Sequence, residues 1–411
     1  MDNKAAIRKT FIYNTIGTGV YLGCQWLITI LIVRLSGYSD AGILSLAMSI
    51  TNVFICIAFY GMRSFQVSDL TNKYSIGTYI SARIITSIIS IVFCAIFITL
   101  NPYTTYEFLC IFIYMGFKTS EAVVDVFHGI DQKAWRMDIV GWSLIIRGVL
   151  SLSIFVIIIV LTQSLVLSII GMALSSYLVI LFYDLSRTKK FSSSIKPDFS
   201  FIKIKKLLVE CFPLLILLLI ASFLPMVPRY LLDIYYGSEV LGIYASVATP
   251  TIIIQVASTF IFSPLVPLFA EYYQNDNYVS FVKLFIKCIV AIGIIAFVIL
   301  FISIIWGDSI LNILFGNTIL PYTNLFIPVM ICTILTSASW FFCTILTVFR
   351  DFKGIIIGNL VGLILCFILS LTLIKELGMN GVNITILIAL SVQNIILIYF
   401  NLKKLAKRSF C

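Results

Sequence analysis

Charge is scarce in this chain. Only 11% of its 411 residues are Asp, Glu, Lys or Arg, against roughly a quarter in a soluble domain. With 61% hydrophobic residues and a mean hydropathy of +1.09, the apolar surface exceeds what a soluble fold can bury, which excludes that class. Histidine occurs once, at His128, so chemistry that needs paired histidines is absent. The chain also lacks HExxH, GxSxG and P-loop motifs, which removes the common signatures of metalloproteases, serine hydrolases and nucleotide-driven pumps. A lone histidine at a helix end reads as an interfacial hydrogen-bonder before it reads as a proton relay. The ten cysteines, among them Cys24, Cys56, Cys94, Cys211, Cys332 and Cys366, fall nearly all within apolar runs and form no CxxC. They behave as small hydrophobes, and neither a disulfide frame nor a metal site is implied.

What the chain has in abundance is long apolar runs. About 20 such residues cross about 30 Å of hydrocarbon as a helix. Spans fall near 11–35, 41–63, 78–100, 106–130, 139–162 and 164–184, then 207–235, 240–270, 280–306, 320–347, 354–374 and 379–401. The expectation is an all-α polytopic membrane protein of about twelve transmembrane helices. The first run is longer than a signal-peptide core and has no small-residue cleavage site, so it is expected to be a membrane helix. The outer connections are too short for a catalytic subdomain. The largest, Trp306 to Pro321, contains LNILFG, which reads as a short interfacial helix.

The net charge of +10 could suit nucleic acid, but the basic residues lie between apolar runs. With the N-terminus inside, alternate connections hold 23 of the 28 Lys and Arg, while the opposite side keeps only Arg34 and Lys375. This asymmetry predicts both termini in the cytoplasm. The longest basic polar stretch, 186–206, divides the chain into two six-helix lobes, 1–185 and 207–411, and acts as a cytoplasmic linker. Lobes of equal, even helix number predict a parallel pseudo-repeat. Gly37, Gly42 and Ile43, after the first span, have counterparts in Gly237, Gly242 and Ile243, after the seventh.

GxxxG steps at Gly354, Gly358 and Gly362 and at Gly19 and Gly23 predict close helix packing. Pro225, Pro228, Pro250, Pro264 and Pro267 predict interruptions in the seventh and eighth helices.

Three cations remain inside spans: Lys118, Arg147 and Arg229, with Arg34 at the end of the first. Each charge at mid-membrane costs about 2.5–3.5 kcal/mol on insertion scales, so they should face protein or water. Lys118, Glu121 and Asp125 share one face of the fourth helix. Neutral pairing of Lys118 with Glu121, and of Arg229 with Asp233, would satisfy insertion alone. Arg147 has no carboxylate within a turn on its own helix, and Arg34 only Asp40 in the following loop. Unpaired cations facing a cavity attract an anion. Glu121 and Asp125, one turn apart, would repel when both ionised. This makes them candidates for H+ or Na+ coupling, with Asp233 a third.

Several segments together resemble a known family. They are GYSDAGILSLAMSI (Gly37 to Ile50), YGMRSFQVSDL (Tyr60 to Leu70), DVFHGIDQKAWRMDIVG (Asp125 to Gly141) and PRYLLDIYYG (Pro228 to Gly237). They are similar to the O-antigen (Wzx-type) oligosaccharide-lipid flippases of the multidrug/oligosaccharidyl-lipid/polysaccharide (MOP) exporter superfamily. The resemblance implies a MATE-like fold with a cavity between two lobes, alternating access, and no enzymatic step or cofactor. It further implies a place in the bacterial cytoplasmic (inner) membrane. The implied cargo is an undecaprenyl-pyrophosphate-linked sugar repeat unit. The implied partners are that lipid-linked oligosaccharide, membrane lipid, and the polymerase and chain-length regulator of the same polysaccharide, with no nucleic acid. Arg34, Lys118, Arg147 and Arg229 are the pyrophosphate-binding residues this implies, matched by chemistry and helix. Two rival readings are a cation-coupled drug or metabolite exporter of the same fold and a membrane-embedded polysaccharide polymerase. The drug exporter would want an acidic or apolar cavity, and the polymerase would usually show a long outer loop.

Overall fold

The computed structural model describes residues 2–69, 73–190, 195–254 and 265–409. Every regular element among them is helical. In chain order these are α1 (Asp2–Ser36), α2 (Tyr38–Phe59), α3 (Met62–Ser68), α4 (Ile76–Thr99), α5 (Thr105–Lys133), α6 (Met137–Thr162) and α7 (Leu165–Val179). A π-helical turn (Ile180–Asp184) leads from α7 into α8 (Leu185–Thr188). Then come α9 (Phe201–Ala248), α10 (Val266–Gln274), α11 (Tyr278–Phe315), a 3-10 stretch (Asn317–Leu325), α12 (Phe326–Val348), α13 (Phe352–Leu377) and α14 (Met379–Ser409). Among the described residues, ten helices are long and apolar enough to cross a membrane. Helix α5 is also of spanning length but carries Lys118, Glu121 and Asp125. With it the described residues supply eleven of the twelve spans expected from hydropathy, and the eighth, 240–270, lies partly outside the described residues.

The chain divides into two units, residues 1–222 and 223–411. The division falls inside the seventh predicted span and beyond the 186–206 stretch, because the chain after that stretch is tied to the first unit. The Asp198 amide donates to Gly77 O at 3.1 Å, and Lys73 bridges Glu210 at 2.6 Å. Leu207 and Cys211 join Met62, Tyr79 and Val126 in one core cluster. In the connection itself Lys203 bonds Asp198 and holds its carboxyl below the usual range.

In both units apolar side chains cover the outside as well as the core, and small polar ones are buried among the helices. In the first, Ile88, Phe93, Leu161 and Phe182 face outward, while Ser81, Ser90, Thr86, Ser143, Ser151 and Ser168 are buried. Small hydroxylated residues let helices approach, and they bond across the gap. Ser90 donates to Phe54 O at 2.5 Å and Thr86 to Ala58 O at 3.0 Å, fastening α4 to α2. Helix starts carry the expected caps. Thr104 and Glu107 form a capping box on α5, and Ser75, Ser164, Asn277 and Asp351 cap α4, α7, α11 and α13.

Glycine sets the sharpest joints. Gly37 (φ 94°, ψ −177°) alone separates α1 from α2, and Gly237 (φ 82°, ψ 170°) breaks α9 in the same conformation. Only glycine enters that region without strain. The break in α9 therefore falls at Gly237. Pro225 and Pro228 are accommodated within continuous helix, contrary to expectation. Pro250 does follow a helix end, Pro267 opens α10, and Pro264 lies outside the described residues. The LNILFG segment also differs from expectation. No proline interrupts residues 278–315, so it continues the 38-residue α11.

Of the two GxxxG sets, the one on α13 packs as expected. A Cβ on Gly358 would sit 2.8 Å from Leu397 of α14, and one on Gly362 2.7 Å from the Gln393 amide oxygen. Gly19 and Gly23 meet no atom of the first unit within 4 Å. On α1 the close approach is made instead by Gly17, whose backbone rests on Gly141 of α6.

Candidate functional site

The contact of Gly17 with Gly141 brings α1 against α6, and Gly148 continues it. A Cβ there would lie 3.0 Å from Tyr21 Cα. With so little between the backbones, the long side chains at this level project toward α5. There Tyr21 OH donates to Glu121 Oε1 at 2.6 Å, and Lys118 Nζ bonds Glu121 Oε2 at 2.7 Å. Arg147 Nη2 donates to Ser120 Oγ at 2.9 Å. Arg147 is 2% exposed, its Nε finds no partner, and it makes no ion pair among the described residues. The structure therefore unites Lys118, Glu121 and Arg147 in one junction of net charge +1.

Asp125 lies apart from that junction in bonding. Its Oδ2 receives Arg83 Nη2 at 2.7 Å and its Oδ1 receives Arg63 Nη1 at 3.2 Å. Arg83 is 1% exposed and also donates to Ala58 O at 2.6 Å. Counting charges by connection places Arg83 among the loop cations, whereas α4 turns it into the core. Asp125 and Glu121 are thus each neutralised by cations instead of standing as a bare repelling pair.

The remaining sequence candidates do not join this junction. Arg34 is exposed in the last turn of α1, and Asp40 accepts from Ser36 and Tyr106. In the second unit Arg229 is partly buried and forms no ion pair with Asp233 among the described residues. Asp233 accepts from Ser238 Oγ at 2.8 Å across the Gly237 joint. No group of three or more His, Cys, Asp or Glu able to hold a metal occurs among the described residues.

Sequence reasoning also passes over the surroundings of His128. Its Nε2 lies 3.2 Å from Ser143 Oγ and 3.5 Å from Asp184 Oδ1, all three residues being buried. The i, i+3 spacing of His128 and Asp131, beside an Asp184 ending the sixth span, is the available signal.

Comparison with known proteins agrees with this architecture. Residues 7–273 match the profile of the family described as polysaccharide biosynthesis protein. The chain is 28% identical over 313 residues to the capsular polysaccharide biosynthesis protein CapF of Staphylococcus aureus, covering 75% of this chain and 77% of CapF. Its fold is similar to a mutant form of the Vibrio cholerae MATE transporter VcmN, with a TM-score of 0.65 at 12% identity over 98% of this chain and 97% of that one. It is also similar to a Pyrococcus furiosus MOP superfamily transporter described by the reverse polarity of its binding pocket. That TM-score is 0.64 at 14% identity, over 98% and 96% of the two chains. The chain is a multi-pass membrane protein with a MATE-like fold, and it belongs to the polysaccharide biosynthesis protein family.

Proposed function

We propose that this protein is a flippase. It carries undecaprenyl-pyrophosphate-linked polysaccharide repeat units from the inner to the outer leaflet of the bacterial cytoplasmic membrane by alternating access, without covalent chemistry. Its termini are cytoplasmic on the charge asymmetry. The observation that supports this best is Arg147, a buried guanidinium without a carboxylate partner, beside Lys118. A guanidinium forks onto phosphate oxygens and stays charged at any relevant pH. The diphosphate of the cargo is a dense anion, so a junction of net positive charge suits it. Arg34 and Arg229 are further candidates for phosphate contact. The capsular relative speaks for a surface polysaccharide, and the polymerase and chain-length regulator of that polymer are the partners this reading expects. The drive this reading allows is a H+ or Na+ gradient or consumption of the cargo on the outer side. The MATE-like fold alone is equally that of multidrug exporters, but cationic drugs favour a site of the opposite sign.

Complementation of a strain lacking its flippase tests this. Restored surface polysaccharide supports the reading. Resistance to cationic drugs with no polysaccharide restored would replace it with the drug-exporter reading.

A further inference from the structure

Two carboxylates of the first unit are buried without a cation. Asp131 and Asp184 are each 0% exposed, and neither forms an ion pair with Lys or Arg among the described residues. Asp131 accepts one bond, from Thr188 Oγ1 at 3.1 Å, and its Oδ1 has no partner. Both oxygens of Asp184 lack a hydrogen-bond donor, with His128 Nε2 3.5 Å from Oδ1. His128 is 3% exposed and shares Ser143 Oγ at 3.2 Å.

The helices arrange these residues as two rungs. His128 and Asp131 are three apart on α5, and Asp184 and Thr188 four apart across the π turn and α8, so each pair shares a helix face. The rungs are His128 with Asp184 and Asp131 with Thr188, one turn apart. Val124, Phe127, Ile130 and Ile180, next to these residues along the same helices, form a buried apolar cluster with Tyr177, Leu185, Ile76 and Ile195 packed against it. The π turn ends at Asp184 itself. Such a turn shifts the register of the helix beyond it and recurs at functional sites.

Two ionised carboxylates in this dry junction would carry two uncompensated charges, which burial makes costly. The charged groups nearby offset them only in part: Arg136 lies within electrostatic reach of Asp131 but is shared with another carboxylate. Arg63 and Arg83 are spent on Asp125, and Arg136 forms its ion pair with Asp138. Arg147 donates to Ser120, Arg187 lies over the Tyr183 ring, and Lys203 pairs with Asp198. The charge deficit is one that hydrogen ions can fill, and carboxylates sharing a site titrate as a unit.

We propose that His128, Asp131 and Asp184 form a proton-binding site between the Lys- and Arg-rich ends of α5, α6 and α7. One proton held among the carboxylates and the imidazole halves the negative charge, and a second makes the junction neutral, so that it packs dry. Without them, the charge demands water and the helix ends part. Its use as the coupling site of transport rests on the export reading above, but the binding itself does not.

Infrared spectroscopy of the purified full-length protein tests the binding. The wild type should show a protonated-carboxyl band at about pH 7, where an ordinary aspartate, with a pKa of about 3.9, is ionised. The band should shift in D2O, fade as pH rises, and be lost or strongly diminished in Asp184→Asn or Asp131→Asn, while Asp138→Asn retains it. Absence of the band in the folded wild type, or its persistence in both Asn variants, overturns the proposal without touching the flippase reading. A protein that shows the band and fails to restore polysaccharide sinks the flippase reading and leaves the proton site standing.

Discussion

Replacing Asp125 by Asn should damage the first unit far more than removing Arg63, although both break an ion pair to the same carboxylate. The difference lies in burial. Arg83 is 1% exposed and is left with Ala58 O and the ring of Phe59, 5.7 Å away, when the carboxylate charge goes. Breaking a buried pair in this way costs about 3–5 kcal/mol, because an uncompensated charge remains. Arg63 has a side chain 32% exposed, and loss of such a pair costs less than about 1 kcal/mol. At about 2–4 °C per kcal/mol for a unit of this size, Asp125→Asn should lower Tm by on the order of 10 °C and Arg63→Ala by only a few degrees. Thermal unfolding in detergent, read by fluorescence size-exclusion, measures both. A double variant, Arg83→Met with Asp125→Leu, removes both buried charges and should be more stable than either single change. Equal small losses from the two single variants would refute the argument. A stable Asp125→Asn protein that loses only transport would also refute it and return Asp125 to the coupling machinery.

Arg147→Ala should abolish surface polysaccharide with accumulation near normal, and Arg147→Lys should keep partial function. Normal export by the alanine variant would remove the guanidinium from cargo binding. Gly141→Ala places a Cβ 2.6 Å from the Tyr13 carbonyl carbon and should cost about 1–3 kcal/mol by overpacking. Gly19→Ala, in open space, should be neutral in the same unfolding assay, and the reverse order would contradict the α1–α6 contact. Reporter fusions at Gln163 and Gly378 should read outside, and those at Lys189 and Asn277 inside; one robust reversal breaks the topology.

Hydropathy makes most helices legible, because an apolar stretch long enough to cross lipid has few alternatives to forming one. Which faces meet is harder to read. Gly358 and Gly362 mark a true packing face, whereas Gly19 and Gly23 mark a false one and Gly17 escapes the motif. The motif records small residues but not where a partner helix passes. Arg83 reads as a loop cation because counting by connection ignores partners distant in sequence. The better signal is Asp125, a carboxylate inside a span with no cation one turn away on its own helix except through Glu121 and Lys118. Such a residue requires a cation from another helix. The junction of Asp131 with Asp184 is hidden for a related reason. Each lies at a span end, where carboxylates are ordinarily wet, and the π turn that carries the chain to Asp184 leaves no periodic trace in composition.

The glycine joints have a mechanical consequence. A helix pair connected through a flexible loop can lose a rotation in the slack, but α1 and α2 share one residue, and so do the two arms of α9. Torque on one arm is therefore delivered to the other through two dihedral angles. Because Gly37 and Gly237 start from nearly the same setting, an equal twist at each redirects the arms by a similar angle. The chain thus carries a matched pair of one-residue joints, one in each unit, with no loop between the helices they connect.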